Sequence, residues 1–380
     1  MFVCKAPKEV YAGQGALTQL PALVKGAARA AVFSDKGIEK AGLLAKPLQL
    51  LKEAGVCCTL LTELPPEPTY QQAQAVVDAF RRAEAEVIIA IGGGSVMDTA
   101  KLCSILADGS LTVQNLLADP TRGCKTVRSI MIPTTAGTGA GATPNAIVAV
   151  PEKEVKVGIV NGEMIPDAVI LDGEMIAGLP MHIAASTGVD ALCHAIECYT
   201  SKKATPFSNL YAMEALKLIF THSEKACLAP DAADSRDAML LAAYYAGLAI
   251  TCSGTTAVHA LSYPLGGKYH IPHGVANAML LMPVMRFNFD ACRKELTQVY
   301  DALGQSGAAT EEDKARWTLS RMEEIVRNLQ IATDLKPWGV SMEDLDTLVA
   351  AGMDVQRLLV NNKRTVTHED ARALYLELLS

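Results

Sequence analysis

Along residues 1–179 the hydrophobic positions fall in short runs separated by stretches of helical period. The runs at about Ala30–Ser34, Cys57–Leu61, Val87–Ile91, Ser129–Ile132 and Val169–Leu171 predict strands. Amphipathic patterns near Ile38–Ala54, Tyr70–Ala85 and Val96–Ala107 predict helices between them. Strands alternating with helices imply a parallel sheet covered by helices on both faces. From about Leu179 the pattern changes to long helices with few strand signals, at Ile183–Thr200, Pro206–Phe220, Ala232–Thr251, Thr310–Asn328 and Met342–Ala351. The break at Gly178-Leu179-Pro180 divides the chain into an α/β domain, residues 1–179, and an all-α domain, residues 180–380.

Within the helical half, Ala238–Gly267 contains no Asp, Glu, Lys or Arg. A run so long without charge belongs inside a domain, and its Gly, Ser, Thr and Pro content makes it a poor membrane span. It leads into VHALSYPLGGKYHIPHG, where His259, His270 and His273 fall inside fifteen residues. Upstream, Asp190 and His194 stand four apart on a strongly apolar helical pattern, which puts both on one face. Taken singly, each histidine is equally well read as a satisfied core imidazole or a loop residue. A divalent metal satisfies several buried imidazoles at once, and an unpaired buried polar group costs about 1–3 kcal/mol. Asp190, His194, His259 and His273 together make a one-carboxylate, three-imidazole site, a donor set that suits Fe(II) or Zn(II) better than Mg(II) or Ca(II).

Composition adds mainly exclusions. Of the 380 residues 50% are hydrophobic and 20% charged, with a formal net charge of −7, which fits a globular protein and no nucleic-acid surface. The start MFVCKAPKEVYAG lacks the apolar core of a signal peptide, so a cytoplasmic location is expected. The ten cysteines are scattered and form no CxxC pair, a pattern that predicts reduced thiols.

In the first half, VIIAIGGGSVMDTAK runs a continuous apolar stretch into Gly92-Gly93-Gly94-Ser95 and then a helix bearing Asp98 and Lys101. Glycines there let backbone approach a diphosphate, and the helix start offers unpaired N–H groups. The alternative is a plain strand-to-helix turn, since the motif is not GxGxxG. A second loop, PTTAGTG at 133–139, follows another strand and would line the same sheet edge. Asp35 closes the strand AAVFS at that edge. It either accepts the ribose hydroxyls of NAD, repelling the extra phosphate of NADP, or caps the next helix.

With GGGSVMDTAK, PTTAGTG, D-x3-H and H-x13-H in this order, the whole chain resembles the iron-containing (group III) alcohol dehydrogenases. The resemblance implies an N-terminal dinucleotide-binding α/β domain followed by an all-helical metal-binding domain. It implies Asp190, His194, His259 and His273 as metal ligands. It also implies a cofactor site for NAD built from Asp35, Gly93, Gly94, Ser95, Asp98, Thr134, Thr135, Thr138, Asn145 and Lys156. Fe(II), or alternatively Zn(II), would be the metal, and a homodimer or higher homo-oligomer the assembly. Three positions depart from the family pattern. Gly141 stands where members with PTTxGTxxE carry a Glu, the common PNPT reads Pro66-Glu67-Pro68-Thr69, and Tyr263 replaces a histidine proposed as proton relay. Tyr263 and His270 are therefore both candidates for the proton-handling residue.

The expected activity is hydride transfer between NAD(H) and a small aliphatic alcohol or aldehyde. One alternative is reduction of an anionic short aldehyde of the sulfoacetaldehyde, phosphonoacetaldehyde or succinic semialdehyde type, suggested by the acid missing at Gly141. A dehydroquinate-synthase-like lyase is a further reading, disfavoured by the few basic side chains in the apolar parts of Val189–Gly274. A non-catalytic scaffold is the remotest. The substrate partner is expected to be a small molecule, with no nucleic acid and no membrane.

Overall fold

The computed structural model describes residues 3–153, 155–229 and 231–379. They form two compact units, one Lys5–Leu179 and the other Pro180–Ser380 together with the residues up to Cys4.

The first unit contains eight strands, β1 (Glu9–Ala12), β2 (Arg29–Phe33), β3 (Cys57–Leu61), β4 (Val87–Gly92), β5 (Arg128–Pro133), β6 (Asn145–Val150), β7 (Val155–Val160) and β8 (Ala168–Leu171). Six make one sheet in the order β1-β8-β5-β4-β2-β3, every pair parallel. β4 is buried at all six positions, as a central strand covered on both faces must be. Its Ile89 and Ile91 pack with Val32, Ile130, Ile132 and Ile170 in one apolar cluster. The helices of this unit are α1 (Leu20–Leu23), α2 (Lys36–Lys40), α3 (Ala45–Glu53), α4 (Tyr70–Ala83), α5 (Gly94–Leu106) and α6 (Val113–Ala118). The single helix expected over Ile38–Ala54 is two, because Gly42 between them has φ +75°, a left-handed turn that halts the first. α4 starts where Thr69 and Gln72 form a reciprocal capping box. β6 and β7 form a separate antiparallel hairpin.

In this sheet β2 leads outward to β3 on one side, while β4 leads through β5 and β8 to β1 on the other. The strand order therefore reverses between β2 and β4. Their carboxyl ends carry Asp35 and the triple glycine, and open parallel sheets bind ligands at such a reversal.

The second unit is helical throughout, with α7 (Met181–Thr200), α8 (Pro206–Leu228), α9 (Ala233–Ser253), α10 (Ala257–Tyr269), α11 (His273–Ala302), α12 (Glu311–Asn328), α13 (Leu345–Met353), α14 (Gln356–Leu359) and α15 (His368–Leu379). α7 and α9 are apolar almost all round and lie inside the bundle. Among the described residues no single helix is long and apolar enough to cross a membrane. α9 and α10 together reach that length, but they bend by 106° at the intervening break. The expectation of reduced cysteines needs one correction: Cys4 and Cys252 are bonded, bringing the N-terminal segment onto α9, while the other eight thiols are free. Scattered spacing in sequence said nothing about a pair 248 residues apart.

Candidate active site

The polar exceptions on α7 form one stripe. Asp190, His194 and Glu197 lie at positions i, i+4 and i+7 and are 1%, 5% and 1% exposed. α10 contributes His259, also buried, and α11 opens on His273 as its first helical residue. α11 reaches α7 closely because residue 274 is glycine: a β-carbon there would lie 2.4 Å from the Ser186 carbonyl oxygen. His273 is thereby a helix-start residue placed by tight packing.

These elements bring Asp190, His194, His259 and His273 together with one donor atom from each inside 4.8 Å of the others. The Nε2 atoms of His194 and His259 are 2.9 Å apart, and Asp190 Oδ1 lies 3.8 Å from Nε2 of both His259 and His273. His273 is the open side of the cluster, its side chain 33% exposed against 2–7% for the other three.

Two further residues, which sequence reasoning missed, fix this arrangement. The carboxylate of Glu197 accepts from His259 Nδ1 and also from Thr256 N, Thr256 Oγ1 and Val258 N. With Nδ1–H given to a carboxylate, the lone pair of His259 Nε2 faces the cluster, the tautomer a metal ligand needs. Asn277, one turn into α11, donates through Nδ2 to Asp190 Oδ1 at 2.7 Å and lies 3.1 Å from Nε2 of His259 and of His273. Glu197 had a signal, since D-x3-H-x2-E continues one helix face; Asn277 had only its spacing of four from His273.

The electrostatics favour the ionised form of both carboxylates in spite of their burial. Burial pushes the Asp190 carboxyl upward, but positive charge on His194, His273 and His259 outweighs it and holds the group below the usual range. Glu197 is likewise held low against its burial, by the charge and hydrogen bond of His259. Burial works to lower His259, yet Glu197 and Asp190 raise it, with the charge of Arg357 opposing them. Inward imidazole nitrogens, a buried carboxylate and a second carboxylate behind them fit a divalent transition metal.

Around the centre, Tyr263 lies one turn after His259 on α10, its ring centroid 6.2 Å from that of His273. Arg357 Nη2 donates to the Tyr263 hydroxyl at 3.2 Å. His270, the other proton-handling candidate, ends α10 with φ +54° and is exposed.

In the first unit, Asp35, Lys36, Gly37, Leu64, Pro65, Pro66 and Gly93–Val96 line a cavity of about 330 Å³ at the strand-order reversal. The two glycine loops are pressed together: a β-carbon on Gly94 would meet Thr138 at 2.9 Å, and one on Gly93 would meet Thr135 at 3.6 Å. Asp35 does cap α2, accepting from Ile38 N at 2.9 Å, and it lines the cavity as well. Ser95 Oγ accepts from Glu67 N, and Glu67 pairs with Lys156 at 2.7 Å, so the β6–β7 hairpin is tied to the glycine loop. Asn145 begins that hairpin, half-buried.

Asp98 and Thr134 sit differently from Gly93, Gly94 and Thr138. Both Asp98 oxygens are engaged, one by the fully buried Lys101 at 2.8 Å and one by Ile147 N at 3.0 Å. Thr134 is wholly buried and joins the second loop to β4 through its N–H to Gly92 O. Gly141 is buried too, where a β-carbon would meet Val169 at 3.3 Å and Met131 at 3.9 Å, so position 141 faces apolar packing.

Residues 7–173 match the family model "Iron-containing alcohol dehydrogenase", and residues 184–379 match "Fe-containing alcohol dehydrogenase family, C-terminal". The chain is 33% identical to long-chain-alcohol dehydrogenase 1 of Geobacillus thermodenitrificans, over 97% of this chain and 94% of that one. It is also 33% identical to sulfoacetaldehyde reductase of Bilophila wadsworthia, over 98% of both. Among solved structures, 1,3-propanediol oxidoreductase superposes with a TM-score of 0.92 at 28% identity, over 100% of both chains. Sulfoacetaldehyde reductase from Bifidobacterium kashiwanohense in complex with NAD+ gives 0.90 at 26% identity, over 100% of this chain and 99% of that one.

Proposed function

Since the chain belongs to the iron-containing alcohol dehydrogenase family, we propose that it is an NAD-dependent, metal-containing enzyme that interconverts a small alcohol and its aldehyde. The observation that carries this reading is the convergence of Asp190, His194, His259 and His273. In the reducing direction NADH, a proton and the aldehyde yield NAD+ and the alcohol. When bound, the metal supplies Lewis-acid polarisation of the substrate oxygen, and the nicotinamide carries the hydride.

The residues of the chain do the rest. Asp190, His194, His259 and His273 hold the ion, Fe(II) in our reading with Zn(II) as the alternative. Glu197 keeps His259 in its ligating tautomer, and Asn277 steadies Asp190. Gly93, Gly94 and Ser95 bring backbone to the diphosphate, with Thr135 and Thr138 beside them, while Thr134 and Asp98 act from behind by fixing the loops. Asn145 and Lys156 are assigned to the nicotinamide-ribose side. Asp35, which lines the same cavity, would take the ribose hydroxyls, and a 2′-phosphate there would meet like charge. For the proton, Tyr263 is favoured over His270: its ring packs near a ligand imidazole, and its oxygen accepts from Arg357, which leaves the O–H to donate. A homodimeric or larger cytoplasmic enzyme fits the family resemblance. The relatives' names span long-chain alcohols and a sulfonated aldehyde, so they support the reaction type and leave the substrate to the site.

The test is oxidation of NADH, compared with NADPH, by propanal in the presence of added Fe(II) or Zn(II). We expect turnover with NADH and a strong preference over NADPH. His259→Ala and His273→Ala should abolish turnover and bound metal together. In the same assay Tyr263→Phe should lower the rate about 10²–10⁴-fold, the size of a lost general acid, with His270→Ala near normal. Full metal content and activity in His259→Ala would end this reading.

A further inference from the structure

Beside the four candidate ligands stands a positive charge whose hydrogen bond to Tyr263 leaves it without a carboxylate partner among the described residues. Arg357 lies on α14, which packs against α10. Its guanidinium carbon is 5.7 Å from the Tyr263 ring centroid, and Nη2 donates to the Tyr263 hydroxyl at 3.2 Å. Tyr263 in turn is four residues from His259 on one helix face and 6.2 Å from the His273 ring. Arg357 is exposed, and among the described residues no carboxylate forms an ion pair with it. By contrast Lys268, near the end of α10, is neutralised by Asp344 at 3.0 Å.

Charge accounting makes this cation informative. Asp190 and Glu197 are the two carboxylates of the centre, and together they balance a divalent ion. Arg357 then remains as an uncompensated positive charge beside Tyr263, whose ring lies near that of His273, the most exposed member of the cluster. With the centre itself balanced, a substrate group that reaches this guanidinium gains most if it is negative, and guanidinium geometry suits the paired oxygens of a carboxylate, sulfonate or phosphonate.

We propose that Arg357 is a specificity-determining residue that binds the acid group of the substrate, so that the preferred substrate is a short aldehyde carrying a carboxylate, sulfonate or phosphonate. This rests on the dehydrogenase reading for its chemistry and goes beyond it in naming the substrate class. It also moves the case for an anionic substrate away from Gly141, which faces Val169 and Met131, to a cation near the metal ligands.

The experiment has a binding arm and a turnover arm, both on the metal-loaded full chain. In the first, isethionate, the alcohol corresponding to sulfoacetaldehyde, is titrated calorimetrically into the native protein, Arg357→Gln, Arg357→Lys and Tyr263→Phe. A lost hydrogen bond to a charged group predicts affinity about 10- to 10²-fold weaker in Arg357→Gln, partly restored in Arg357→Lys and retained in Tyr263→Phe. In the second arm kcat/KM is compared for sulfoacetaldehyde, succinic semialdehyde and propanal. The native protein should favour one of the acids, and Arg357→Gln should collapse that preference through KM. Unchanged isethionate affinity in Arg357→Gln overturns the proposal, as does a native preference for propanal. An equal loss on all three aldehydes, with isethionate still bound, assigns Arg357 to holding Tyr263 and also overturns it. Arginine-dependent isethionate binding without turnover of any aldehyde would overturn the dehydrogenase reading and uphold the anion site.

Discussion

A carboxylate behind a ligand imidazole has its effect without touching substrate. Glu197 is buried and gathers four donors from the start of α10 in addition to His259 Nδ1. Its negative charge both fixes the ring and makes the outward nitrogen a better donor. Glu197→Gln keeps the shape and offers an amide in place of the charge. We expect metal affinity to fall about 10–100-fold, the usual effect of losing such a partner, as read by competition with a chelator, while far-ultraviolet circular dichroism stays unchanged. Equal affinity in the two proteins would make Glu197 only a cap for α10. The four candidate ligands were legible from sequence because an uncharged run had to place its histidines somewhere dry, and the structure brings them together. Glu197 and Asn277 escaped because each has an ordinary alternative, a helix-face acid and a buried amide, and only the docking of three helices distinguishes them.

The elements that matter most are those whose ends, more than their faces, build the site. α11 is the longest helix described, thirty residues, and it went unread. HIPHG looks like a loop, and Pro283 interrupts the helical period; yet the helix starts on His273 itself and continues through the proline. The β6–β7 hairpin was missed for another reason. β6 alternates half-buried and buried positions, but its sequence, NAIVAV, is apolar after the first residue and shows no period of two, and the pairing partner is what makes it a strand. By contrast β4 and the strands flanking it were plain, since a fully buried strand is apolar at every position. Gly274 is the element-scale test. With Ser186 O 2.4 Å from any added β-carbon, Gly274→Ala must push α11 away from α7. We expect a loss of about 1–3 kcal/mol, as for other overpacked sites, measured by denaturant unfolding of the metal-free protein. Bound metal should fall further than stability alone explains, because His273 moves with the helix. An unchanged midpoint and full metal content would show that the helices yield without cost.

At the scale of the whole molecule, the two candidate binding functions belong to separate units. All four candidate ligands and Glu197 lie in Pro180–Ser380, and the glycine loops and Asp35 lie in Lys5–Leu179. Ligands that bind only the native state stabilise what they touch. Metal should therefore slow hydrogen exchange chiefly in α7, α10 and the first turns of α11. NADH should do so around residues 33–37, 92–98 and 133–139. Protection by metal confined to the first unit would contradict this assignment.

The candidate ligands are also far apart along the chain, His194 and His259 alone being separated by 65 positions. During synthesis at roughly 5–20 residues per second, several seconds separate the appearance of Asp190 and His194 from that of His273. In that interval the chain carries half a chelate, two donors on one helix, and has nothing to close around an ion. Closure of the full set around an ion would therefore wait at least until His273, the last of the four to be made, stands at the start of α11.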